Sequence, residues 1–355
     1  MKVAIVGGGI FGVTIATVLA KNDCKVDLYE KEPDIFTHAS GINQYRLHRG
    51  YHYPRSTETI LTCLRGEPEF AEMYGDAVLD DEIEHYYCIA KEGSKISGED
   101  CKKIFDRFSL EHEEMDSGVV NKDKISFSTK VKEFLFDPVA LKKICWNNLN
   151  QSGVNVLLNT KALPENLKDY DLVVVATYCD NNSWLHDSPS SKKPYQYEVC
   201  EKLVLKLPEK FSKKSVVILD GAFMCIDPFG RTGYHAMGNV VHAIHDRQIA
   251  NSVEIEAKYK QVLNKGVIKN PSLTNYNNFI ESAVEYFPGI EKAEHEGSMF
   301  TIRTVLPFRD HDDARPTVVE QIRNNLVTVF SGKIPTCVDA AYQVLNIVKF
   351  RKEGR

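Results

Sequence analysis

Two groups of residues have the types and spacing for chemistry. The first is Gly7-x-Gly9-x-x-Gly12, preceded by the β-prone run Val3-Ala4-Ile5-Val6 and followed, eighteen residues past Gly12, by Glu30 at the end of a second such run from Lys25. Gly7 permits a tight turn, Gly9 lets the backbone approach a pyrophosphate, and Gly12 lets the helix opened by Ile10 and Phe11 pack on the strand with its amides facing phosphate. Glu30 accepts from both hydroxyls of an adenosine ribose and repels a 2′-phosphate, which selects NAD or FAD over NADP; its bland alternative is an exposed strand-end acid. The second group is Tyr45 to Arg55, with three tyrosines, three arginines and two histidines in eleven residues. Arg46, His48 and Tyr53 lie in it. That density of donors suits an anionic ligand, or else a solvated basic loop.

Other constellations carry less. His242-x-x-His245 has metal-like spacing, but a strand puts the two rings on opposite faces and no carboxylate or cysteine framework accompanies them, so no metal is expected. Asp310-His311-Asp312-Asp313 reads as an acidic loop, and a Gly-x-Ser-x-Gly elbow is lacking. The nine cysteines include no C-x-x-C pair, which points to reduced thiols and a cytoplasmic protein. A net charge of −5 gives no footprint for nucleic acid. Val3 to Ala20 imitates a signal or anchor, yet its glycines weaken a spanning helix, and no other run nears the ~20 apolar residues a membrane span needs.

The elements that position these residues do not form one continuous nucleotide domain. After Glu30 the chain enters a polar, aromatic and then charged excursion, and the next buried strand is Leu172 to Ala176. Leu326 to Phe330 comes later still and leads through Ser331-Gly332-Lys333 into a helix over Val338 to Phe350. Asp137-Pro138 caps a helix running to Ser152-Gly153, before a strand at Val154 to Leu158. Strands are expected at Tyr195 to Leu207, at Val216 to Leu219 joined through Asp220-Gly221 to Phe223 to Ile226, and at Gly297 to Leu306; helices at Val253 to Leu263 and Leu273 to Tyr286.

This order of elements, with GGGIFGVTIA and Glu30-Lys31, FDPVALKKICWNNLNQSGVNVLLNT, DYDLVVVAT and NNLVTVFSGKIPTCVDAA, resembles the FAD-dependent D-amino-acid oxidase superfamily over nearly the whole chain. The last stretch is similar to the Gly-Lys-x-x-Thr turn of flavin-dependent glycerol-3-phosphate dehydrogenases. Asn43, His48, Gly50 and Tyr53 match a stretch of flavin-dependent 2-hydroxyglutarate oxidases, with Gln44 and Tyr45 replacing a Ser-Gly pair; Tyr178 stands where the family continues Ala-Thr-Gly. The resemblance implies an α/β fold: a split Rossmann-like FAD-binding domain over 1–80, 130–185 and 300–355, and a second, mainly antiparallel-sheet substrate domain over 81–129 and 186–299. It further implies that FAD is held by Gly7, Gly9, Ile10, Phe11, Gly12, Glu30, Lys31, Ser40, Asn43, Gln44, Ala162, Thr177, Gly332 and Ile334.

A flavin accepts hydride at N5, and the helix start entered through Gly332 would stabilise the negative charge of the reduced ring. Lys333 adds a cation to the ring or to an anionic substrate, or is an ordinary surface lysine. The family match sets His48 near the flavin as a general base, a structural histidine, or a covalent flavin attachment. Arg303 falls where relatives clamp a substrate carboxylate; an ion pair with Asp310, Asp312 or Asp313 is its alternative. The implied activity, with Arg46 and Tyr53 binding substrate, is removal of a hydride from a CH–OH carbon of a small anionic substrate (a hydroxy acid, polyol phosphate or sugar derivative). Amine oxidation, or a non-catalytic flavin-binding protein, is the competing reading.

Overall fold

A computed structural model of the chain describes residues 1–79 and 83–353. Its nucleotide-type sheet has six strands in the order Val318–Arg323, Leu326–Phe330, Leu172–Val175, Lys2–Val6, Lys25–Tyr29 and Asn155–Leu157. All are parallel except the first, an antiparallel edge strand absent from the sequence reading. Leu172–Val175 and Leu326–Phe330 are buried along their whole length, because both faces of a parallel sheet are covered. Helix Ile10–Ala20, buried from Ile10 to Leu19, packs with helix Cys337–Glu353, where Ala340 and Ala341 are fully buried. Gly12 lets the first helix close onto the turn and strand before it, since a Cβ there would lie 1.9 Å from the Gly7 carbonyl oxygen.

The chain leaves this sheet to build a nine-stranded one. Its centre is the strand Tyr195–Lys206, which pairs antiparallel with Glu294–Val305 along one edge and with Ile244–Ala250 and His235–Asn239 along the other. The hairpin Lys214–Leu219 with Met224–Pro228 follows the Asp-Gly signal, and Glu84–Ala90 and Ile125–Val131 extend the sheet. A small third sheet joins Arg46–Leu47, Phe134–Phe136 and Val78–Leu79.

Three expectations needed correction. Helix Val253 to Leu263 shrinks to Ala257–Lys260, because Leu263 bridges to Phe300 and the Asn264 amide donates to the Phe300 carbonyl. The helix expected from Leu273 starts at Tyr276, since the Thr274 hydroxyl and Asn275 amide are taken by Glu201. The polar stretch after Arg55 holds an eighteen-residue helix, Thr57–Tyr74, capped by Ser56. The expected division at 80/81 lies outside the described residues, while single strands run across those at 129/130 and 299/300.

Candidate functional site

A cavity of about 930 Å³ is lined from both large sheets. At one end lies the glycine loop. Gly7 has φ +108°, and a Cβ on it would meet the Ala176 carbonyl oxygen at 2.6 Å. The Ile10 amide donates to Ser40 Oγ at 2.9 Å, and the helical ladder begins with Val13 donating to Gly9 at 3.0 Å. Between them the Phe11 and Gly12 amides are left for an anion, as at any helix start. Glu30 accepts from the Gly8 amide at 2.6 Å and the Glu32 amide at 2.9 Å, so its carboxylate is fixed before any ribose arrives. Lys31 is exposed at the rim, Ala162 contributes wall, and the Thr177 amide and hydroxyl both bond Asn181 Oδ1, at 3.0 and 2.9 Å. This end fits the dinucleotide part of FAD: a cradle that side chains would fill, open amides, and an anchored acid.

Tyr178 explains a departure from the family pattern. Its φ of +58° is the left-handed conformation that glycine adopts freely. Here a tyrosine is held in it, its hydroxyl donating to the Thr304 carbonyl at 2.7 Å and accepting from the Thr304 amide at 2.9 Å, its ring stacked on Phe330.

Two expected flavin contacts have other partners. Asn43 staples its own loop, donating to the Ala39 and Ser40 carbonyls and accepting from the Tyr45 amide. Gln44 spends its amide on Asp227 at 2.8 Å. Both residues line the cavity.

At the opposite wall sit His48, His52, Tyr53 and Lys333. The three rings lie within 5.5 Å of one another, and Lys333 Nζ is 4.2 Å from the Tyr53 centroid. Gly332 sets the turn that delivers Lys333: a Cβ there would fall 2.0 Å from the Arg315 carbonyl oxygen. Ile334 then opens the turn Ile334–Thr336 that leads into the last helix. Burial, with Arg46 adding, pushes the Lys333 ammonium down to about 7. Burial and then the Lys333 charge push His48 down to about 4, so its imidazole is neutral at pH 7. Lys333 faces the cavity without a carboxylate partner among the described residues, as does Lys202 on Tyr195–Lys206.

Arg46 is not available to a substrate. Its five donor bonds go to Asp227 (from both Nε and Nη2), Glu133, Tyr87 and Ser215, and its side chain is 1% exposed. A guanidinium has five N–H groups, so none is left over. The expectation that Arg46 binds substrate therefore gives way to a buried ionic support under His48. Arg303 likewise has an acid partner, but it is Glu198 on the adjacent strand, opposite it in register, rather than the 310–313 loop. In that loop Asp312 pairs with Arg309 and Asp313 with Arg315. Sequence reading missed Glu133, Asp227, Glu198, Lys202 and Arg315, which come from strands and loops distant in sequence. Strand alternation over Gln196, Glu198, Cys200 and Lys202 was the one available signal.

Of the two spaced histidines, His245 bonds Glu201 at 2.8 Å, and no group of three or more His, Cys, Asp or Glu side chains that could hold a metal ion occurs among the described residues. No helix among them is long and apolar enough to cross a membrane.

Comparisons with known proteins bear on the fold and the cofactor. A family model described as FAD dependent oxidoreductase (DAO) matches residues 2–113. The chain is similar to the FAD-dependent monooxygenase kojA of Aspergillus flavus, 22% identical over 98% of this chain and 86% of that protein. It is also similar to the FAD-dependent monooxygenase FPY4 of Fusarium mangiferae, 24% identical over 98% and 91%. Among solved structures, L-alpha-glycerophosphate oxidase from Mycoplasma pneumoniae superposes with a TM-score of 0.73 at 15% identity, over 98% of this chain and 94% of that one. Glycine oxidase from Geobacillus kaustophilus gives 0.69 at 15%, over 98% and 94%. Over residues 2–113 the chain thus matches the DAO family of FAD-dependent oxidoreductases, and over nearly its whole length it is similar to FAD-dependent enzymes.

Proposed function

We propose that the chain oxidises a CH–OH carbon of a small anionic substrate bound between His48 and Lys333. Bound FAD, held at the Gly7–Gly12 loop, Ser40 and Glu30, supplies the hydride acceptor. The carrying observation is that His48 lines the same cavity as Lys333, which has no carboxylate partner among the described residues, and burial favours the neutral imidazole. An ammonium can lose its proton to water before the amine binds and then release hydride unaided, whereas an alcohol is too weak an acid for that and has to be deprotonated as the hydride leaves. A neutral imidazole against the cavity therefore favours the alcohol. Its lone pair takes the hydroxyl proton, Lys333 and Lys202 attract the substrate anion, and Arg303, whose side chain is 39% exposed, borders the same space with Glu198. The six-stranded sheet carries the cofactor, and the substrate lies between Lys333 and His48 and the cavity side chains Glu198, Lys202 and Arg303 of the nine-stranded sheet. The relatives named monooxygenases supply the rival outcome, insertion of oxygen into the substrate.

The test is anaerobic mixing of the holoenzyme with 2-hydroxy acids, polyol phosphates and amino acids while flavin absorbance is followed. A hydroxylated anion is expected to bleach it, and His48→Ala to slow the bleaching roughly 10²–10⁴-fold with FAD retained. Bleaching by amino acids alone, or at the wild-type rate in His48→Ala, refutes the proposal.

A further inference from the structure

Glu133 lies outside every motif, in the break between strands Ile125–Val131 and Phe134–Phe136. Its side chain is fully buried. It accepts from Arg46 Nη1 at 2.7 Å, Tyr87 Oη at 2.6 Å and the Arg49 amide at 3.1 Å. Its Oε1 is 3.7 Å from His48 Nδ1, closer than any other carboxylate of the described residues comes to that ring. Nδ1 is sealed from solvent with no hydrogen-bond partner, while His48 itself lines the cavity.

We infer that Glu133 is a positioning residue: it holds the His48 imidazole with Nδ1 protonated, leaves the Nε2 lone pair toward the cavity, and provides the countercharge for the proton that Nε2 takes up. The inference rests on the reading of His48 as the base. Charge balance behind the ring supports it. Arg46 carries one positive charge against the two carboxylates Asp227 and Glu133, all three with side chains at most 1% exposed. That cluster has one negative charge in excess, and a proton arriving on His48 neutralises it beside the carboxylate it faces. Lys333 and Arg46 act on the ring in the opposite sense. Without Glu133 the imidazolium would form beside the Lys333 ammonium and an Arg46–Asp227 pair of no net charge, with no carboxylate facing it. Orientation is the second effect: a carboxylate facing one ring nitrogen fixes the tautomer and leaves the other nitrogen bare, which a hydroxyl proton requires.

The test begins with the wild-type holoenzyme labelled with ¹⁵N-histidine, the His48 ring signals being identified by their loss in His48→Gln. The Nδ1–H tautomer is expected at pH 7; an Nε2–H tautomer overturns the inference, and this needs no Glu133 variant to fold. In Glu133→Gln the tautomer should become mixed or reversed and flavin bleaching by the active substrate of the panel should slow about 10–100-fold. Glu133→Asp, which keeps the carboxylate, should recover most of the rate. Adding Glu133→Gln to His48→Ala should cost nothing further. If His48→Ala is slow but Glu133→Gln is as fast as wild type, Glu133 does not position the base. If His48→Ala is itself fast, the reading of the base has failed instead.

Discussion

Replacing Lys333 with methionine should stabilise the protein while impairing it. The ammonium is held in the cavity wall without a carboxylate partner among the described residues, and burial pushes its pKa down from 10.5 to about 7. The unfolded chain binds this proton as pH drops through 10.5, and the folded chain only near 7, so wild-type stability declines between the two. At about 1.36 kcal/mol per unit, 3.5 units set an upper limit of about 5 kcal/mol below pH 7. The contact of Nζ with the Tyr53 ring returns about 1–2 kcal/mol, leaving a net cost of about 3 kcal/mol. Methionine fills similar space without the charge. Thermal unfolding of the FAD-loaded, substrate-free protein should show Lys333→Met melting several degrees higher at pH 6, with the gain fading by pH 10 and flavin bleaching slowed. A gain that is equal at pH 6 and pH 10, or no gain at all, would mean that the ammonium is solvated and that its placement has no cost to explain by function.

Other perturbations test separate parts of the structure. Gly12→Ala puts a Cβ 1.9 Å from the Gly7 carbonyl oxygen, so the purified protein should lose most of its FAD; an unchanged absorbance ratio of flavin to protein would contradict the cradle. Arg46→Met strands two buried carboxylates and should lower unfolding free energy by about 3–5 kcal/mol, read by urea denaturation. His48 has a folded pKa of about 4, below its ordinary 6.5, so its contribution is present above pH 6.5 and is lost as pH falls through 4. At 1.36 kcal/mol per unit this amounts to about 3 kcal/mol, and His48→Gln should therefore show a shallower loss of stability across that window.

What could be read from the chain alone follows from how local each signal is. Gly7 to Gly12, Asp137-Pro138 and Asp220-Gly221 each dictate a backbone conformation within a few residues, and the structure forms the turn, the cap and the hairpin there. His48 and Lys333 were named because their neighbours matched family turns, and the fold brings them to one wall from positions 285 apart. Arg46 misled because an arginine among tyrosines and histidines looks the same whether it meets a ligand or two buried acids; Asp227 and Glu133 reach it only through sheet pairing. Arg303 misled in part for the same reason, since Glu198 is its neighbour across a ladder and not along the chain. Helix Thr57–Tyr74 was hidden by Gly66 and Pro68; the glycine is there because a Cβ at that position would meet the Pro335 carbonyl oxygen at 2.8 Å.

The strand Tyr195–Lys206 has a consequence for how this enzyme can change. Flanked on both edges, its backbone register is fixed by ladders to three strands that line the cavity with it, and Gln196, Glu198, Cys200 and Lys202 all reach into that space. Alternate residues on a strand stand about 7 Å apart, roughly the spacing between the ends of a small metabolite. An amide, an acid, a thiol and an ammonium therefore stand along the cavity like marks on a ruler, and exchanging any one alters which length and charge pattern of substrate is matched while the ladder beneath stays put. Selection, natural or in the laboratory, can retune substrate preference along these four positions without touching either the glycine loop or His48.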